Sequence, residues 1–249
     1  MTKERQQPLT QVSADQLGEI ARICKANRGA GGPGIGPDVQ GFIRRMTEGG
    51  TNPGKKDPRE TQAFHLWTLG IGDQLGYTSF AEYLATVPRI PEFPDRYFAQ
   101  FPNLVLVDAR LTARCYAKLG GFVLVNGLEK ETRPDDYNLG FVPYGSIDPG
   151  THQYWMRANL RGFAEHSMHD VRDMISDDTV PCSLLEGIAG YLQHPTRMRN
   201  ARTALGGSVW RKERHSIAAL YTLASSPVIC APRFDDPVSF VAVRGAFIG

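Results

Sequence analysis

The run NLVLVDARLTARCYAKLGGFVLVNG, Asn103 to Gly127, constrains the fold more than any other stretch of the chain. Leu104 to Val107 is an unbroken apolar run, which reads as a fully buried strand rather than a half-solvated one. Leu111 to Leu119 then reads as a short helix, stopped by Gly120 and Gly121. Phe122 to Val125 repeats the buried-strand pattern. Strand, helix, strand predicts a parallel pair joined by a short crossover. LGFVPYG, Leu139 to Gly145, suggests a further strand.

The flanking regions differ in kind. Residues 12–88 carry helical signals. Ser13 with Gln16 forms a capping-box pattern before Leu17, Ile20, Ala21 and Cys24, and Asp38 to Met46 places Val39, Phe42, Ile43 and Met46 on one face. Thr61 to Leu69 and Ser79 to Thr86 are two further helix candidates, the second with Ser79 and Glu82 at capping-box spacing. VPRIPEFP, Val87 to Pro94, has three prolines in eight residues and must be an extended connector. It marks a boundary between a helical region, 1–88, and an α+β region with a mixed sheet, 89–249, which can equally form one continuous domain. Towards the C-terminus, Phe163 to Ile175 and Ser183 to Leu192 read as helices. Ala218 to Leu223, Val228 to Ala231 and Phe240 to Val243 read as strands. The expected class is α+β.

Composition narrows the function classes. Of 249 residues, 41% are apolar and 22% charged, the balance of an ordinary globular protein, and the net charge of +2 selects no partner by itself. The polar start, MTKERQQPLTQ, lacks the apolar core of a signal peptide, and no apolar run reaches membrane-spanning length. A cytoplasmic protein with no membrane partner is the expectation. Cys24, Cys115, Cys182 and Cys230 are widely spaced and read as thiols, neither a disulfide framework nor a zinc site.

Several apparent motifs fail on their context. Gly49, Gly54 and Lys55 stand at P-loop spacing, but Lys56 replaces the Ser or Thr, Pro53 removes a backbone donor, and a helix precedes the loop where a strand is required. GAGGPGIG also follows a helix, so it is not a dinucleotide turn. HSMHD sets His166, His169 and Asp170 on one helical face, with Asp173 a turn further, and a polar helix face explains this better than a metal site. Glu186 in SLLE completes a capping box with Ser183. No metal site and no cofactor is predicted.

Two candidate sites remain. Asp108 and Arg110 follow a buried strand, where α/β sheets bind ligands, and with Tyr154 and Arg157 of HQYWMRANLR they are ligand-binding candidates. Asp108 can alternatively cap the helix that starts near Leu111. HQYWMRANLR itself alternates as a strand would, with Tyr154 and Met156 on one face and Trp155 and Arg157 on the other. The second candidate is 194–215, HPTRMRNARTALGGSVWRKERH, with six Lys or Arg against one acid. Arg197, Arg199, Arg202, Trp210, Arg211 and Lys212 could hold phosphates and stack a base there. The acidic runs RPDDYN and DMISDD make the charge patchy. The leading expectation is a binding or regulatory protein whose partner is a protein or a nucleic acid. An enzyme or small-ligand binder with a pocket near Asp108 and Arg110 is the alternative.

SLLEGIAGYLQHPTRM, then GGSVW and DDPVSFVAVRGAF, resembles small bacterial domain-of-unknown-function families. The matching positions are Leu184 or Leu185, Glu186, Gly187, Ile188, Ala189, His194, Pro195, Gly207 and Ser208. The resemblance implies a bacterial or phage-like origin and an α+β module with a Gly-Ser turn between helix and strands. It implies no activity and carries over no catalytic residue.

Overall fold

Helix initiation is local, and the first helices form where capping residues permit. In the computed structural model, which describes residues 57–125, 128, 136–143, 152–164, 178–198, 202–224, 226–233, 235–236 and 238–248, Asp57 caps α1 (Pro58–Thr68) by accepting from Arg59 N at 2.9 Å. Ala63, Leu66 and Trp67 fall on its buried face. α2 (Ile71–Gln74) follows Gly70, whose φ of 91° is one that glycine adopts without strain. Ser79 caps α3 (Phe80–Thr86) through Glu82 N. All described residues belong to the unit Lys55–Gly249.

The proline-rich segment is extended, as its sequence requires, and two side chains stitch it down. Arg59 donates to Leu84 O at 2.6 Å and Val87 O at 2.7 Å, bracing the backbone where α3 ends. Trp155 Nε1 donates to Pro88 O at 2.9 Å. α4 (Asp95–Gln100) comes next and leads into the sheet.

Among the described residues the sheet has nine strands. β1 (Asn103–Asp108) is followed by α5 (Ala113–Leu119), β2 (Val123–Leu124), β3 (Phe141–Pro143), β4 (Gln153–Ala164) and β5 (Thr179–Pro181). After α6 (Leu184–Gln193) and α7 (Pro195–Met198) come β6 (Thr203–Trp210), β7 (Ile217–Leu223), β8 (Ser226–Cys230) and β9 (Phe240–Gly245). The spatial order is β1-β4-β9-β6-β7-β8-β2, with β3 paired to β6 and β5 to β9. Helices in the N-terminal part and a large mixed sheet in the C-terminal region make the fold α+β.

The expected parallel pairing across α5 is overturned. β1 pairs antiparallel with β4, while β2 pairs parallel with β8 at the far edge of the sheet. β2 is also a short edge strand, with Val123 48% exposed, rather than a buried one. The reason lies in the outer edge of β1, which side chains fill. Gln193 accepts from Leu106 N at 3.0 Å and donates to Leu106 O at 2.7 Å, as a neighbouring strand would. His194 Nε2 lies 2.8 Å and Gln62 Nε2 3.2 Å from Leu104 O. Tyr116 OH accepts from Asp108 N at 2.9 Å. Buried backbone groups must be paired, and here amide, imidazole and phenol side chains do it.

Two other expectations change. Phe163 ends up in β4 and not in a helix, and the rest of that helix candidate lies outside the described residues. The Gly-Ser turn at Gly207 and Ser208 is instead part of β6, a strand buried along nearly its whole length within the Arg-rich stretch. There the β6–β7 register shifts between Leu205 and Val209. A Cβ on Gly207 would stand 2.6 Å from Pro181 O, so glycine lets that backbone approach. Ser208 Oγ accepts from Leu184 N at 2.8 Å and anchors the first turn of α6.

Candidate functional site

Asp108, at the end of β1, is wholly buried and saturated with donors. Its Oδ1 accepts from Arg110 N at 3.4 Å and Nε at 2.8 Å. Its Oδ2 accepts from Arg110 Nη2 at 2.6 Å, Gln153 Nε2 at 2.8 Å and Tyr83 OH at 3.3 Å. Arg110 also donates to Tyr77 OH at 2.9 Å. Hydrogen bonding to Asp108 is the largest influence raising the Arg110 pKa, and burial followed by the Asp108 charge raises that of Tyr83. Asp108 does not cap α5, because Thr112 does so through Cys115 N at 3.2 Å. The other two ligand candidates lie elsewhere. Tyr154 points to Glu186, with OH to Oε1 at 3.2 Å. Arg157 points to the opposite face, its guanidinium 3.8 Å above the Phe98 ring and 5.6 Å from that of Phe93. The four therefore do not converge, and the Asp108 carboxylate spends its acceptor capacity on the protein itself.

Glu186 forms a second buried knot. The predicted capping box is present: Ser183 Oγ accepts from Glu186 N at 3.3 Å, and Glu186 Oε2 accepts from Ser183 N at 2.7 Å. Oε1 stands 2.6 Å from Arg244 Nε, both side chains being out of water. The Nε–H is off line and makes no hydrogen bond, so the contact is Coulombic; Nη1 donates to Gly245 O at 3.0 Å. Burial, then the Glu186 charge, raises the pKa of Tyr154 and of Cys182. Both thiol and phenol are neutral at physiological pH.

The Arg-rich stretch is split by β6, whose eight residues set its ends roughly 25 Å apart. At the far end stand Trp210, half-buried, and Arg211 and Lys212, both exposed. Acids answer them: Arg211 Nη1 lies 3.4 Å from Asp136 Oδ2, and Arg233 Nε 3.0 Å from Glu213 Oε1. Asp136 belongs to the acidic run RPDDYN.

At the near end, Arg197 and Arg202 are exposed, and Arg161 of β4 joins them. Arg199 lies outside the described residues. The β4–β9 register shifts between Asn159 and Phe163, a bulge that re-aims Arg161. Asn159 Oδ1 accepts from Arg161 N at 3.1 Å, and Arg161 Nε donates to Arg197 O. The Arg161 guanidinium lies 5.2 Å from the Phe240 ring and that of Arg202 6.0 Å from the Tyr221 ring. Phe240 N donates to Arg202 O at 3.1 Å, tying the two stacks together. Among the described residues no carboxylate pairs with Arg161, Arg197 or Arg202.

The two stacks lie on opposite faces. Phe240 and Leu220 pair with Thr203, so Phe240 shares the face of Thr203 and Leu205, where α6 packs with Gly187 against Leu205. Tyr221, one residue beyond Leu220, faces away. Burial raises the Cys230 thiol to about 11, and the Arg202 charge on that far face opposes the rise.

Sequence reading missed Arg161, Phe240 and Tyr221. The signal that could have found Arg161 is N-x-R-G, Asn159 to Gly162, in which a glycine inside a strand marks a bulge. His166, His169, Asp170, Asp173 and the P-loop-like segment lie outside the described residues. Among the described residues, no group of three or more His, Cys, Asp and Glu is placed to hold a metal, and no helix is long and apolar enough to cross a membrane. The chain matches no known protein family, no curated protein and no solved structure.

Proposed function

We propose that the protein is a binding module that takes up nucleic acid through Arg161, Arg197 and Arg202 at the near end of β6. One observation carries this reading. Three exposed arginines stand at this end of the sheet with no carboxylate partner among the described residues, whereas Arg211 and Arg233 at the far end face acids. Unpaired guanidinia at a sheet end attract phosphates and release condensed counterions when they bind. A second reading, an enzyme with a pocket at Asp108 and Arg110, draws no support from a carboxylate already holding five donor contacts. We take the protein to be bacterial, following the C-terminal resemblance, and cytoplasmic, in keeping with the free thiols of Cys115, Cys182 and Cys230.

Fluorescence anisotropy with a labelled oligonucleotide tests the proposal. Three phosphate contacts predict an affinity that falls roughly 20- to 40-fold between about 50 mM and about 200 mM salt. The double variant Arg161→Ala, Arg202→Ala should lose most of this dependence, and Arg211→Ala should keep it. Absence of binding at low salt, or binding indifferent to the double variant, sinks the idea.

A further inference from the structure

Resting on that nucleic-acid reading, we infer that the ligand is a single strand whose phosphates straddle the end of the sheet, with Arg161 and Arg197 on one face and Arg202 on the other. The placement follows from register. Thr203 pairs with Phe240 on one side and Leu220 on the other, so the Arg161–Phe240 stack lies on the face that carries α6 and the Arg202–Tyr221 stack on the reverse face. Thr222 Oγ1 confirms the alternation: it lies 3.4 Å from Tyr191 OH of α6, so its neighbour Tyr221 points away. The bond from Phe240 N to Arg202 O keeps the stacks on adjacent strands, about 5 Å apart across the sheet.

A backbone that touches both faces must turn over a rim about 10 Å thick, the spacing of packed layers. Duplex DNA has a persistence length of about 50 nm and cannot follow so tight a turn. A single strand can. Both rings are half-buried and each already lies against a guanidinium. The groups offered outward are therefore charged edges for phosphate, and little base preference follows.

The test uses the full chain, an oligothymidylate and an oligouridylate of about 12 nucleotides, and a duplex of the same length. Both single strands should bind alike, with a log–log salt slope near −2. Arg161→Ala and Arg202→Ala should each make that slope shallower by roughly 0.7. The duplex should bind more weakly and respond to one of these variants but not the other. Thermal melting of each variant checks that the fold is kept. A duplex that binds as tightly as the single strands and loses affinity in both variants would leave nucleic-acid binding standing and overturn the straddling strand. A preference for only one of the two single strands would also overturn it, because contacts confined to phosphate do not read sugar or base. No binding by any probe would remove the underlying reading as well.

Discussion

Arginine plays two opposite parts in this molecule, one in the core and one at the sheet end. Arg244 and Arg110 each meet a buried carboxylate, Glu186 and Asp108, at 2.6 Å. Arg161, Arg197 and Arg202 are exposed and find no carboxylate among the described residues. Identical side chains are a structural cost to be neutralised in one place and available charge in the other. What separates the two is the partner. A buried guanidinium without its acid is strongly destabilising, while a solvated one costs little and keeps its field for a ligand. The core pairs should therefore control stability and the sheet-end arginines binding, with little exchange between the two.

The largest effect is expected at Glu186. Glu186→Ala strands Arg244 in the interior and opens the capping box, so urea unfolding should show a loss of about 3–5 kcal/mol. A loss below about 1 kcal/mol would mean that Arg244 escapes to water. Asp108→Asn should cost less, about 2–3 kcal/mol, because 26% of the Arg110 side chain is exposed and its charge stays partly solvated. Gln193→Ala leaves Leu106 N–H and C=O without partners, for about 1–3 kcal/mol, and hydrogen exchange at the Leu106 amide should speed up before global unfolding. Arg161→Ala and Arg202→Ala sharpen the contrast from the other side, with stability changes within about 0.5 kcal/mol while oligonucleotide binding falls.

The smallest effect concerns His65 of α1, whose side chain is partly covered and partly in solvent. Burial lowers its pKa, and the nearby His194 lowers it further. The unfolded chain then takes up the proton more readily than the folded one. Stability should decline gently as pH drops through about 6.5 and level off below the folded value. His65→Gln should flatten that slope in melting temperature against pH.

Local signals were legible in the sequence and distant pairings were not. The capping box at Ser183 and Glu186 needs only four residues, and the structure reproduces it. The alternation in HQYWMRANLR placed Tyr154 and Arg157 on opposite faces, as found. The partner of β1 is not legible locally, because pairing is decided by residues far along the chain, Gln193 among them. β6 was hidden by its own composition: Ala, Gly and Ser replace the usual branched apolar residues, and the flanking arginines make the whole stretch look like solvated surface. Within the candidate site, Arg197 and Arg202 were legible as charge. Arg161 was not, because a bulge that no alternation rule anticipates turns it outward.

The side-chain cover on β1 also has a kinetic meaning. Leu106 and Gln193 are 87 residues apart, so the cover closes only after the long segment between them has been gathered. Until α6 docks, β1 is an apolar strand with an open template along one side, the type of edge on which chains add to one another. Refolding yield should therefore fall as protein concentration rises, more steeply in Gln193→Ala than in the parent. The same glutamine that completes the native sheet thus sets how crowded a solution this chain can fold in.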